Sequence, residues 1–474
     1  MDDVLRMDAC AQKKLLDDGE FDASELLTAT IDRIEAINPR INAVIHRMYE
    51  KATDKARAKG AAGPFSGIPL LIKDAICHTA GDPMHEGMRF LKERSWTEDT
   101  DSFLAQRFRR AGFIFVGKTN LPELALAPTT EPLAYGPTRN PWDLQRSPGG
   151  SSGGAAAAVA SGMVAIAHAN DWAGSIRIPA SACGLVGLKP TRGRVSPGPR
   201  FGEIAGGRGA EHVVTRSVRD SALVLDAIAG SEVGDAYFAA PPTESFASVL
   251  SPGERLNVGI FTASEIRGIP VHDSCRDAVS EIAAVLEELG HRVEPAWPDA
   301  LEAGMAGHFA GVYGAHVRRM LDAWSTRTGA AITEDDVETE IWAWAELGRS
   351  IDVTAYLADK QWLERWAREL CRWWRRYDIL ITPTLVEPLP KLGVLASDPS
   401  DPWKISKARG RFGLFTEPWS VSGQPAMSLP THVADGLPIG IQLIAATGRE
   451  DLLISLASEI EVAIPWRAHR PPVV

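Results

Sequence analysis

Gly149-Gly-Ser-Ser-Gly-Gly154, then Ala155-Ala-Ala-Ala-Val-Ala160, Ser161-Gly162, the run Met163-Val-Ala-Ile-Ala-His-Ala-Asn170, and Asp171-Trp-Ala-Gly-Ser-Ile-Arg-Ile-Pro179 form one continuous stretch. It reads as glycine loop, helix, buried strand, glycine loop. Alanines at 155–160 favour a helix whose N-terminus faces Gly153-Gly154, and the apolar run 163–170 has the length of a buried strand. Outward from it, further buried strands are expected at 67–73, 112–118, 256–260, 379–382, 426–429 and 439–445. Helices are expected at 22–37, with Ser24 as cap and Leu26, Leu27, Thr30, Ile31 and Ile34 as its apolar stripe, and at 103–110. Helix–strand alternation of this kind predicts an α/β fold with a mixed, mainly parallel central sheet covered by helices on both faces. No repeat or low-complexity linker interrupts it, so residues 1–474 are expected to form one α/β/α domain, with a helical block at about 300–376 inserted in it.

The composition narrows the function classes. The 474 residues carry 50 basic and 61 acidic side chains, a net charge of −11, which argues against a general binder of nucleic acid or anionic membrane. The start, Met1-Asp2-Asp3, lacks the basic and apolar pattern of a secretion signal. The longest low-charge run, 155–169, is too short for a membrane span. Five scattered cysteines (Cys10, Cys77, Cys183, Cys275 and Cys371) lack metal-site spacing and fit a reducing cytoplasm.

The two glycine clusters each hold serine. Glycine lets backbone N–H groups approach a cavity, and a serine beside such groups has both a place to attack and a place to hold negative charge. That combination points to acyl transfer, provided a base activates the serine. His168 lies nearest, inside an apolar strand, where a satisfied core histidine is the expected outcome. Lys73 is the other candidate. It ends the apolar run Ile68-Pro-Leu-Leu-Ile72, where desolvation favours the neutral amine, although pairing with Asp74 at a strand end would explain it equally. Gly149-Gly-Ser151-Ser-Gly153 also satisfies the hydrolase elbow pattern, with His432 or His469 as base, but this leaves Ser175 and Lys73 unexplained.

Several further motifs share one order: Ser66-Gly-Ile-Pro-Leu-Leu-Ile-Lys73-Asp74, Gly117-Lys-Thr-Asn120, Asn140-Pro-Trp-Asp143, Cys183-Gly-Leu-Val-Gly-Leu-Lys-Pro-Thr-Arg-Gly-Arg194, Ser422-Gly-Gln-Pro-Ala-Met-Ser-Leu-Pro430, Gly436-Leu-Pro-Ile-Gly-Ile-Gln442 and Gly448-Arg-Glu-Asp451. With the serine loops they resemble the amidase signature family over roughly residues 20 to 470, its signature core falling at about 66–195. The resemblance implies Ser175 as nucleophile, Ser151 as bridging serine entered through a cis peptide bond, and Lys73 as base. It implies an oxyanion hole from the N–H groups of Trp172, Ala173, Gly174 and Ser175, with Ser152, Asp171 and Arg177 in support. The family usually has Gly-Gly before the nucleophile; here Trp172-Ala173-Gly174 stands there, which puts an indole near the acyl pocket and a Cβ in the loop.

The function so implied is a cytoplasmic serine hydrolase cleaving carboxylic amides, with ester and carbamate (urethane) cleavage at the same site. The stretch 131–143 is most similar to the branch holding nylon-oligomer hydrolases and broad-specificity bacterial amidases. No cofactor and no metal are implied; the partner is a small-molecule amide or carbamate, and homodimers are common in the family. Two other readings stand beside it: the amidase subunit of a tRNA-dependent amidotransferase, and a non-catalytic binding protein on the same fold. The Trp stripe at 362, 366 and 373 is expected to face the core, while Phe309, Tyr313, Trp342, Trp344 and Trp403 fall where the family builds its substrate funnel.

Overall fold

Along three adjacent strands, successive residues enter two different cores. Leu70 and Ile72 pack into one apolar cluster and Leu71 into another; Phe115 is divided from Ile114 and Val116 in the same way, and Ile166 from Ala167 and Ala169. Because side chains alternate across a strand, the sheet must separate two apolar layers. Helices supply both. Ala23–Ile41 and Gly153–Ala160 fill one layer, while Phe103–Arg110, Val218–Ile228, Asp273–Glu288 and Glu450–Ala463 fill the other.

The computed structural model describes residues 1–58, 62–250 and 253–472. Its strands are β1 (Val44–Arg47), β2 (Pro69–Lys73), β3 (Ile114–Thr119), β4 (Ile166–Asp171), β5 (Val186–Lys189), β6 (Ala210–Thr215), β7 (Asn257–Ile260), β8 (Glu265–Ile266), β9 (Ile269–Pro270), β10 (Arg292–Pro295), β11 (Ile379–Pro383), β12 (Ala426–Ala434) and β13 (Leu437–Ala445). Eleven form one sheet in the order β1-β3-β2-β4-β6-β5-β12-β13-β11-β7-β10, and β8 pairs with β9 alone. The sheet is mixed. Parallel pairing holds for β3-β2-β4 and for β11-β7-β10. The middle is antiparallel, so the parallel share is smaller than helix–strand alternation predicts. Four strands of the sheet, β1, β5, β6 and β10, lie outside the expected set, and β12 and β13 extend into a hairpin.

The first long helix corrects one expectation: Asp22, not Ser24, caps it, accepting from the N–H groups of Ser24 and Glu25. Glu25 returns the bond to the Asp22 N–H at 2.8 Å, a capping box. The helical block is present between β10 and β11 as Ala306–Thr328, Thr339–Ser350 and Val353–Cys371 with shorter turns. Trp366 is buried, and Trp362, Trp373 and Trp374 pack partly buried against the larger core, so that stripe faces inward. Among the described residues no helix is long and apolar enough to cross a membrane.

Candidate active site

Parallel pairing of β2 with β4 brings the carboxyl ends of both strands to one edge, where α/β sheets place ligands. Lys73 ends β2, and Asn170 and Asp171 end β4. The Lys73 amine is fully buried and lies 2.7 Å from Ser151 Oγ, 2.9 Å from Ser152 Oγ and 2.6 Å from Asn170 Oδ1. Burial lowers its pKa to about 7, against the opposing fields of Glu211 and Asp171. A neutral amine has two N–H donors and one lone pair. Asn170 Oδ1 is an obligatory acceptor, and the Ser152 hydroxyl faces the Asn170 carbonyl at 3.3 Å and accepts from the amine. The protonated amine donates to Ser151 Oγ as well; in the neutral form the lone pair is left for the Ser151 hydroxyl.

His168 is the core histidine expected. Its Nδ1 accepts from the Lys73 N–H at 3.2 Å, which leaves the proton on Nε2 to donate to Glu211 at 2.6 Å. His432 pairs with Glu281 instead of any serine, which removes it as the base of an elbow.

The peptide bond from Gly150 to Ser151 is cis. Gly150 has no room for a side chain, since a Cβ there would lie 2.3 Å from the Thr129 carbonyl oxygen. The Ser152 N–H donates to the Ser175 carbonyl at 3.3 Å, which ties the two serine loops together. Ser175 is partly exposed and lines a pocket of about 40 Å³ with Gly150, Leu126, Ile178, Tyr313 and Arg409.

The loop before Ser175 is held by a buried ion pair. Arg177 grips Asp171 through Nε at 2.8 Å and a second nitrogen at 2.9 Å, and reaches the Thr416 carbonyl, Gln442 Oε1 and Ser420 Oγ. Burial alone would raise the Asp171 carboxyl, but the Arg177 guanidinium outweighs it and holds the group below its ordinary range. Asp171 also accepts from the Gly174 N–H at 2.7 Å. That corrects the expected oxyanion hole: the Gly174 donor is already occupied. The N–H groups of Trp172, Ala173 and Ser175 have no acceptor among the described residues. Gly174 is the position with unusual backbone (φ 133°), and a Cβ there would lie 2.3 Å from Thr416 Oγ1. Ala173 is outside the positive-φ set, so its methyl group is accommodated, and its carbonyl accepts from Thr416 Oγ1 at 2.6 Å.

Trp172 lines the Ser175 pocket and also a second cavity of about 230 Å³ that holds Glu86, Phe201, Met320 and Trp324. Its Nε1 is buried without a partner among the described residues. The remaining motifs act as staples. Asn140 Nδ2 and Trp142 Nε1 each donate at 2.9 Å to the carbonyls of Ala182 and Cys183, closing the helix Arg177–Cys183. Arg194 grips Glu450 through two bonds of 3.0 Å.

Asn170 and Arg409 escaped sequence reasoning. For Asn170 a signal existed: His168 and Asn170 are polar at a spacing of two in an otherwise apolar strand, which places both on one face. Arg409 carried none, being one of several basic residues in a polar helix.

The Amidase family model matches residues 25–454. The 6-aminohexanoate-cyclic-dimer hydrolase of Paenarthrobacter ureafaciens is 41% identical over 482 residues, covering 99% of this chain and 97% of that protein. The solved structure of 6-aminohexanoate cyclic dimer hydrolase complexed with substrate superposes with a TM-score of 0.96 at 40% identity, covering 99% of each chain. A bacterial aryl acylamidase of the amidase signature family superposes with a TM-score of 0.88 at 27% identity, covering 98% of this chain and 99% of the other.

Proposed function

The chain belongs to the amidase signature family, and from that premise we propose that it hydrolyses carboxylic amides through an acyl-enzyme on Ser175. One observation carries the reading: a fully buried Lys73 amine 2.7 Å from Ser151 Oγ, where burial lowers its pKa to about 7 and favours the neutral base. Neutral Lys73 draws a proton through Ser151 from Ser175, Ser175 Oγ attacks the carbonyl carbon, and the relay returns the proton to the leaving amine. Water then repeats the sequence on the ester. The N–H groups of Trp172, Ala173 and Ser175 hold the developing oxyanion, a contribution of roughly 3–4 kcal/mol for a critical donor.

The substrate class is that of small amides, nylon-type oligoamides included, with esters and carbamates as further substrates, because acylation requires only an accessible carbonyl and a leaving group that can be protonated. The walls of the Ser175 pocket, Leu126, Ile178 and Tyr313, favour a small apolar group beside the carbonyl. The five free cysteines support a cytoplasmic location, and the continuous eleven-stranded sheet supports a single domain.

The test is hydrolysis of a panel (an aryl anilide, a short aliphatic amide, a nylon-type oligoamide, a p-nitrophenyl ester and an aryl carbamate) together with fluorophosphonate labelling. We expect labelling at Ser175 and loss of at least about a thousandfold in kcat/KM for Ser175→Ala. Full activity in Ser175→Ala, or absence of labelling in an otherwise active enzyme, would overturn the assignment.

A further inference from the structure

The Ser175 pocket is also lined by a guanidinium that uses none of its N–H groups on the protein. Arg409, on the helix Lys404–Phe412, lines the Ser175 pocket and stacks 3.7 Å over the Tyr313 ring. Among the described residues it makes no side-chain hydrogen bond and no ion pair, and one terminal nitrogen is buried without an acceptor. Arg208 flanks the same aromatic wall, 4.4 Å over Phe309, which Arg409 also approaches at 5.4 Å. Arg208 is only 6% exposed, yet it too keeps a buried terminal nitrogen unpartnered. Arg267 does the same through Nε.

The acids in reach do not complete these groups. Glu417 feels the fields of Arg409, Arg208 and Arg267 but forms no ion pair with any of them, and its Oε1 is itself buried and unpartnered. Burial raises its carboxyl toward the neutral form. Glu340, the other acid that feels Arg409, is buried and already accepts from Ser406 and Trp344. Glu302, whose field reaches Arg267, already accepts from Trp297 Nε1. Around Arg409 and Arg208, Glu340 has no bond to spare and Glu417 is pushed toward neutral, so this wall keeps its positive charge. Unmade hydrogen bonds of buried charged groups are costly, and a planar guanidinium matches a carboxylate through two parallel bonds.

We propose that Arg409, backed by Arg208, reads a carboxylate on the substrate, so that the preferred amide carries an anionic group close to the carbonyl that acylates Ser175. This rests on the reading of Ser175 as nucleophile, and it separates a carboxylate-ended linear amide from a neutral cyclic one. The carboxylate can belong to the acyl part or to the leaving amine; the chemistry recognised is the same.

Binding is measured by calorimetry in Ser175→Ala protein, where turnover does not interfere. The probes are 6-acetamidohexanoate against N-hexylacetamide, and glutaryl-p-nitroanilide against pentanoyl-p-nitroanilide. These two pairs put the carboxylate on the amine side and the acyl side. We expect at least one carboxylate probe to bind about tenfold tighter than its neutral match. Arg409→Gln should bring that ratio to about one, and Arg409→Lys, which keeps charge without the planar fork, should retain part of it. Equal binding of charged and neutral probes, or a preference untouched by Arg409→Gln in protein with an unchanged thermal midpoint, overturns the proposal. The binding arm stands apart from the nucleophile assignment, which fails instead if Ser175→Ala turns over substrate like wild type.

Discussion

The two sides of the Ser175 pocket are built on opposite principles. On the side of the Ser175 loop, the Arg177 guanidinium binds Asp171, Thr416, Gln442 and Ser420, and the bonds are made within the protein. Around Arg409, by contrast, Arg409, Arg208 and Glu417 keep buried polar atoms without partners among the described residues. The contrast teaches where the fold ends and the site begins. A saturated network fixes geometry, whereas an unsaturated wall waits for partners from outside the chain.

The largest effect is expected at the Lys73 amine. Lys73→Ala should cost at least about a thousandfold in kcat/KM while Ser151 and Ser175 remain in place. In wild type, kcat/KM should rise with pH and level off above about 7, because the neutral amine is the working form. Lys189 also has a pKa lowered to about 7, mainly by burial. A pH profile of Lys189→Met that keeps the same acid limb would assign that limb to Lys73, and a lost limb would take it away.

Next in size is the saturated side. Arg177→Met leaves Asp171 buried without its counter-charge and should destabilise the fold by about 3–5 kcal/mol in urea unfolding. A loss below about 1 kcal/mol would mean that the network is not what holds the loop. Gly174→Ala combines a strained φ with a clash on Thr416 and should cost about 1–3 kcal/mol, with catalysis impaired as well.

Smaller effects sharpen the contrast. Trp172→Ala should join the Ser175 pocket to the neighbouring cavity, and bulky acyl anilides should then gain about tenfold over acetyl anilide in kcat/KM. An unchanged ranking would remove Trp172 as a divider. Least of all, Arg409→Gln should change unfolding free energy by no more than about 1 kcal/mol, because it gives up stacking on Tyr313 but no hydrogen bond or ion pair within the protein.

What was legible in the sequence followed from local chemistry. Lys73 at the end of an apolar run and the serines in their glycine loops stand where expected, because a strand end and a glycine turn are set by neighbours in the chain. β5 and β6 escaped because their strand identity comes from pairing: Val186-Gly-Leu-Lys189 is short and carries a glycine, and Ala210-Glu-His-Val-Val-Thr215 buries the polar Glu211 and His212 in pairing with β4. The occupied Gly174 N–H was equally hidden. Nothing in the order Asp171-Trp-Ala-Gly says that the carboxylate turns back onto its own loop. Ser24 gave way to Asp22 for a simple reason: both are good caps two residues apart, and only Asp22 has a Glu three positions on to return the bond.

The reach of Arg177 has a consequence for synthesis. Its partners Thr416, Ser420 and Gln442 lie more than two hundred positions downstream. A nascent chain that already displays Lys73, Ser151 and Ser175 still lacks the residues that fix the loop between them. Until the last strand of the central hairpin has been made, Arg177 lacks the partners that complete its network around Asp171.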